Sequence, residues 1–146
     1  MQLTNPFMGR IAAASIFAAA MGCGQAYAFR QVEVVDGDTI TIPASGTSPG
    51  YRIRVMGIDA PELHGKCPDE IKRAQQAKAR LAQLVSGKVT FKTDLSVDRY
   101  GRLLAQVLTP ADQDVAQILI KEGLGRPYDG KGARQPWCPG APAEVR

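Results

Sequence analysis

The segment YRIRVMGIDAPE, residues 51–62, decides how this chain reads. Its first half alternates, with Tyr51, Ile53 and Val55 on one face and Arg52 and Arg54 on the other, which predicts a half-buried strand. Its second half turns and carries two carboxylates, Asp59 and Glu62, on either side of Pro61. Upstream, Asp38 follows the pair Asp36-Gly37; downstream, DRYGR at 98–102 supplies Arg102. Oxygen-bearing acids suit a hard cation, and fork-shaped guanidiniums suit a phosphate. Three separated places in the chain therefore offer the groups that phosphodiester hydrolysis needs.

Working outward, residues 30–35 are β-branched and partly alternating, and residues 39–42 alternate Thr with Ile. Asp36-Gly37 between them is a hairpin signal, because both residue types tolerate the positive φ of tight primed turns. Residues 43–50, PASGTSPG, have loop chemistry throughout. Three strands in a meander follow from this. From 69 to 85 the period changes: Ile71, Ala74, Ala77, Leu81 and Val85 keep helical spacing, with Lys72, Arg73, Lys78 and Arg80 on the remaining surface. Residues 88–93 and 103–109 read as strands, and 114–122 as a second helix capped by Asp114 and ended by Gly123. From residue 127 the chain is rich in Gly, Pro and Arg and is expected to lie over the surface without regular structure. Five short strands with a helix inserted after the third predict an α+β fold. The expected form is a closed or nearly closed five-stranded barrel of the OB type with two to three helices.

Residues 1–28 read as a segment apart. Arg10 ends a short polar start, 11–21 is an apolar run, and Ala26-Tyr27-Ala28 is a small-x-small cleavage site. The run is shorter than the roughly 20 residues of a spanning helix. A secretory signal peptide over 1–28 and one domain over 29–146 are expected, with a secreted or periplasmic location. Gly22-Cys23, as a lipoprotein site, is the alternative. The formal net charge of the whole chain is +4, and the segment removes one basic residue, Arg10, and no acidic one. A basic domain suits a polyanion, although a modest positive charge also fits ordinary solubility. Cys67 and Cys138 then remain as a pair in an oxidising compartment. The expectation is a disulfide that pins the Pro-rich tail beside the turn carrying Glu62; two free thiols are the alternative.

Each of these residues also has a bland reading. Asp36-Gly37-Asp38 alone is a turn, Arg52 and Arg54 alone are the solvated face of an edge strand, and Asp98 with Arg102 alone is a surface ion pair. His64, the sole histidine, has no recognisable Ser or Cys partner and takes a loop role. There is no His and Cys cluster suited to zinc.

Joint occurrence reverses those odds. VDGDTI, RVMGIDAPE, DRYGR and EGLGRPY follow one another in an order that resembles the staphylococcal nuclease (thermonuclease) family, over residues 31–128. The resemblance implies that Asp38 and Asp59, with the backbone carbonyl of Ala60, ligate calcium. It implies that Glu62 positions or deprotonates the attacking water, and that Arg54 and Arg102 bind the phosphate and stabilise developing charge. Tyr100 matches a position near the nucleotide, and Arg99 and Tyr128 are taken with it as substrate contacts. The paired tyrosines of the family are reduced here to Tyr128, with Trp137 as the candidate substitute. The expected activity is calcium-dependent hydrolysis of DNA and RNA by a monomer with no stable protein partner. The rivals are a non-catalytic nucleic-acid-binding module on the same fold and a purely structural domain.

Overall fold

The computed structural model describes residues 25–47 and 49–143. The expected leader therefore lies outside the described residues except for its end. Ten elements follow in order: β1 (Gln25–Phe29), β2 (Glu33–Val34), β3 (Thr39–Ile42), β4 (Tyr51–Val55), β5 (Gly57–Asp59), α1 (Pro68–Leu84), β6 (Val89–Thr93), β7 (Leu103–Leu108), α2 (Val115–Lys121) and β8 (Arg126–Tyr128). Six strands form one sheet in the order β1-β6-β7-β4-β3-β2, and β5 pairs separately with β8. The architecture is OB-like, with six sheet strands where five were expected and two helices. The additional strand is β1, which carries the small-x-small site and pairs along its whole length with β6. The tail also departs from the expectation: β8 gives it regular structure, in register with β5 through Asp59↔Arg126.

The core accounts for the periodicities. Ile53 and Val55 of β4 are buried, as are Ile40, Phe91, Val107 and, from the helices, Leu81 and Leu119. Alternation thus drives one face of the sheet inward, and each such side chain contributes roughly 1.5–3 kcal/mol on burial. Tyr51, the first residue of the same face, stays exposed at the strand end.

Two glycines bring the site elements together. Gly57, the first residue of β5, has φ +82, which lets the chain turn after Met56 out of β4 and into the strand that carries Asp59. Gly37 does not use positive φ, contrary to the hairpin argument. A Cβ there would lie 2.8 Å from the Cβ atoms of both Ala60 and Ala77. Glycine is required because the turn presses against the Asp59-Ala60 strand end and α1, and not because of turn type.

Candidate active site

Strand pairing sets the first half of the site. β3 and β4 are antiparallel with Thr39 opposite Arg54, which places Asp38, just before β3, beside the end of β4. The Asp38 carboxylate accepts a hydrogen bond from the backbone N–H of Ala60 at 3.1 Å and pairs with Arg54 Nη2 at 3.1 Å. Arg54 also donates to the carbonyls of Val55 at 2.6 Å and Ile58 at 2.8 Å, so three contacts fix the guanidinium plane. β7 runs parallel to β4, with Ile53 opposite Leu103, and delivers Arg102 within reach of the same end. Arg102 Nη1 lies 3.3 Å from the Thr39 hydroxyl, which in turn is 3.1 Å from Asp38.

Arg102 belongs to a self-contained turn. Asp98 accepts from the backbone N–H groups of Tyr100 and Arg102 through one oxygen and from Arg102 Nε, at 2.7 Å, through the other. Burial works against its charge, but these donors from Arg102 and Tyr100 hold its pKa below the usual carboxylate range. The Tyr100 ring is 59% exposed, with Arg99 and Arg102 placed 5.1 and 5.4 Å from its centroid. Asp98 and Arg102 thus do form the ion pair, and it serves to orient the guanidinium.

Asp38 is almost completely buried, and desolvation pushes its pKa up to about 6 against the opposing effect of Arg54. Asp59 is 3% exposed. Its partner comes from the tail: Arg134 Nη1 makes an ion pair with Asp59, and Arg134 Nη2 reaches Glu62 at 3.1 Å. The Trp137 indole N–H donates to the other Asp59 oxygen at 3.3 Å. Arg134 is itself only 8% exposed, and its Nε is buried without a hydrogen-bond partner. An unsatisfied buried donor of this kind costs roughly 1–3 kcal/mol.

The tail is held by covalent and polar contacts. Cys67 and Cys138 form the expected disulfide, with Cα atoms 6.0 Å apart. Arg126 stacks over the Trp137 ring, 3.8 Å from its centroid, and donates to the carbonyls of Gln135 and Pro136. Trp137 thus engages Asp59 through its N–H and Arg126 through its ring face. Buried Glu70 of α1 accepts from the N–H groups of Glu62 and Lys66 at 3.3 and 2.9 Å and lies against the disulfide. Cys67, Glu70 and Cys138 cluster closely, but the two sulfurs are bonded to each other and offer no thiolate to a metal.

One open cleft is lined by Asp38, Arg54, Glu62, Arg99, Tyr100, Arg102, Tyr128 and Arg134. Asp59 borders a smaller recess next to it, together with Glu62, Arg134 and Trp137. Tyr128 closes its own loop through a hydrogen bond from its hydroxyl to Gly132 O at 3.1 Å. Arg134 was missed in the sequence because it sits in a stretch of loop composition. The available signal was Cys138, since a disulfide to Cys67 draws the neighbouring cation towards the carboxylates.

The fold and this cleft together define a class, an OB-like domain with acids and arginines gathered at one sheet end. A sequence profile described as staphylococcal nuclease homologue matches residues 52–136. The chain belongs to that family. It is 35% identical over 103 residues to an uncharacterized endonuclease of Escherichia coli, covering 68% of this chain and 60% of that protein. It is 31% identical to a micrococcal nuclease of Shigella flexneri, covering 66% and 56%, and 31% identical to a thermonuclease of Staphylococcus hyicus, covering 67% and 57%. The chain thus spans about 60% of the length of these relatives or less.

Proposed function

We propose that this protein is a calcium-dependent nuclease that hydrolyses phosphodiester bonds of DNA and RNA with little sequence preference. The observation that carries the reading is the convergence of Asp38, Arg54, Glu62 and Arg102, from three separate sequence motifs, on one open cleft. Asp38 and Asp59, with the Ala60 carbonyl, would hold the cation. Buried carboxylates and an all-oxygen donor set suit a hard, flexible ion such as calcium. When bound, calcium supplies positive charge against the scissile phosphate.

The chain's own residues do the rest. Glu62 takes a proton from water as the water oxygen attacks phosphorus. Arg54 and Arg102 grip the non-bridging oxygens, where negative charge builds. The leaving sugar oxygen departs with its bonding electron pair and takes a proton from solvent. These contacts address phosphate and not base edges, hence the weak sequence preference. Arg99, Tyr100 and Tyr128 line the rim, where they would contact the nucleotide. The domain would act as a monomer over residues 29–146, secreted or periplasmic after loss of the leader.

Cleavage of labelled DNA and RNA with calcium, magnesium or EDTA tests the reading. Chelation should stop hydrolysis, and Glu62→Gln should lower turnover at least about tenfold with the fold intact. Binding that ignores EDTA, without cleavage, would instead establish the binding-module alternative.

A further inference from the structure

We propose that Arg134 is a positioning residue: it holds Asp59 and Glu62 as a pair and, as a resident cation beside them, tempers the site's affinity for its divalent ion. The inference rests on the nuclease reading above and goes beyond it, because it assigns a role to the tail. One planar guanidinium reaches Asp59 with Nη1 and Glu62 with Nη2. A fork of fixed geometry can set the spacing between two carboxylates, which a single ammonium cannot.

The surroundings leave Arg134 little freedom. Trp137 holds the second Asp59 oxygen, Arg126 covers Trp137, and Cys138 ties the same stretch to Cys67. From the other side, Glu70 fixes the Glu62 and Lys66 N–H groups and lies against the disulfide. The loop bearing Glu62 and the tail bearing Arg134 are thus fastened at a common point. An arginine keeps its proton at any working pH, so the positive charge beside Asp59 and Glu62 is permanent.

Two consequences follow. Arg134 reduces the negative charge of the Asp59–Glu62 pair by one unit, so a divalent cation meets a weaker attraction there. The same residue keeps Glu62 aimed, since a carboxylate displaced by about an ångström can lose much of its catalytic effect. Arg134 would thereby trade cation affinity for turnover.

Terbium luminescence sensitised through Trp137, with calcium as competitor, reads cation affinity independently of catalysis. Arg134→Gln should tighten calcium about tenfold while lowering kcat about tenfold, with a smaller change in KM for an oligonucleotide. Arg134→Lys keeps the charge and loses the fork, so calcium affinity should stay near wild type while kcat falls. It also decides the matter should the Gln variant fail to fold by circular dichroism. Wild-type calcium affinity and kcat in a folded Arg134→Gln, or wild-type kcat in Arg134→Lys, would overturn the assignment while leaving an active nuclease. A wild-type protein that neither binds calcium nor cleaves would overturn the nuclease reading and this inference together.

Discussion

Asp38, Arg54 and Arg102 stand on strands, or next to strand ends, that hydrogen-bond directly to one another in one sheet. Arg134 and Trp137 stand on a stretch beyond β8 that is attached by one disulfide, by the stacking of Arg126 and by their own side-chain bonds to Asp59 and Glu62. Both halves meet the same carboxylates, yet they depend on different forces. The sheet half is fixed by backbone pairing and a buried core, so any single contact is backed by others. The tail half is fixed by one disulfide and by side-chain contacts, namely the Arg134 and Trp137 bonds to Asp59 and Glu62 and the grip of Arg126, with no strand pairing of its own beyond β8. Precision at the site can therefore come from a strand or from a staple, and the two should fail differently.

The sharpest way to separate the halves is to cut the staple. Cys138→Ser should lower stability by up to about 4 kcal/mol for the 71-residue separation. Strand and helix content should persist, while trypsin should cut at Arg134 far faster than in the wild type. Urea unfolding and timed digestion measure both, and protection of Arg134 after loss of the disulfide would mean that polar contacts alone hold the tail.

A change of pH should act on the sheet half. Burial pushes the Asp38 pKa up to about 6 in the folded chain, above the 3.8 of an ordinary aspartate, so the folded state binds more protons between these values. Stability from this group is complete below about pH 4 and is lost as pH rises through about 6, a fall of about 3 kcal/mol in calcium-free buffer. Asp38→Asn should remove that fall, and calcium, which favours the ionised form, should offset it. Denaturation curves at several pH values, with and without the ion, measure the effect.

Arg54→Lys should lower turnover by about a hundredfold, because an ammonium cannot keep Asp38 and two carbonyls while presenting a fork to phosphate. Steady-state cleavage of a labelled oligonucleotide tests it, and wild-type rates would reduce Arg54 to a strand-end brace. The smallest effect is expected from Arg126→Ala, which removes the guanidinium from the Trp137 face at a cost of about 1 kcal/mol. Thermal unfolding should show the loss, with near-normal turnover while the disulfide remains.

The two halves also differ in how far they could be read from the sequence. β4, α1 and the turn at Asp98 carry local patterns, namely alternation, 3.6-residue spacing and short side-chain-to-backbone bonds, so their residues announce them. The Cys67–Cys138 link was readable as the pair of cysteines left once the expected leader, with Cys23, is set aside. β1 was not, because the small residues of a cleavage site also suit a strand and only pairing with β6 distinguishes the two. Gly37 was identified as a turn residue, but its cause is a packing contact with Ala60 and Ala77, distant in sequence. Arg134 was invisible for the same reason: its meaning arises 75 residues away, at Asp59.

The pairing of β1 with β6 bears on what the proposed removal of the leader would do to the sheet. Cleavage following Ala28, as proposed, would take four of the five β1 residues away and leave Phe29 as the new amino terminus. Its ring rests 5.5 Å from that of Phe91, so an aromatic anchor would stay in place at the start of the trimmed chain. The remainder of β6, from Thr90 to Thr93, would become the rim of the sheet, with backbone donors and acceptors turned outward and Lys92 as its one charge. Such a rim accepts an incoming strand. Removal of the leader would then do more than release the domain: it would create a place where an extended peptide, or a second copy of the rim, could add on.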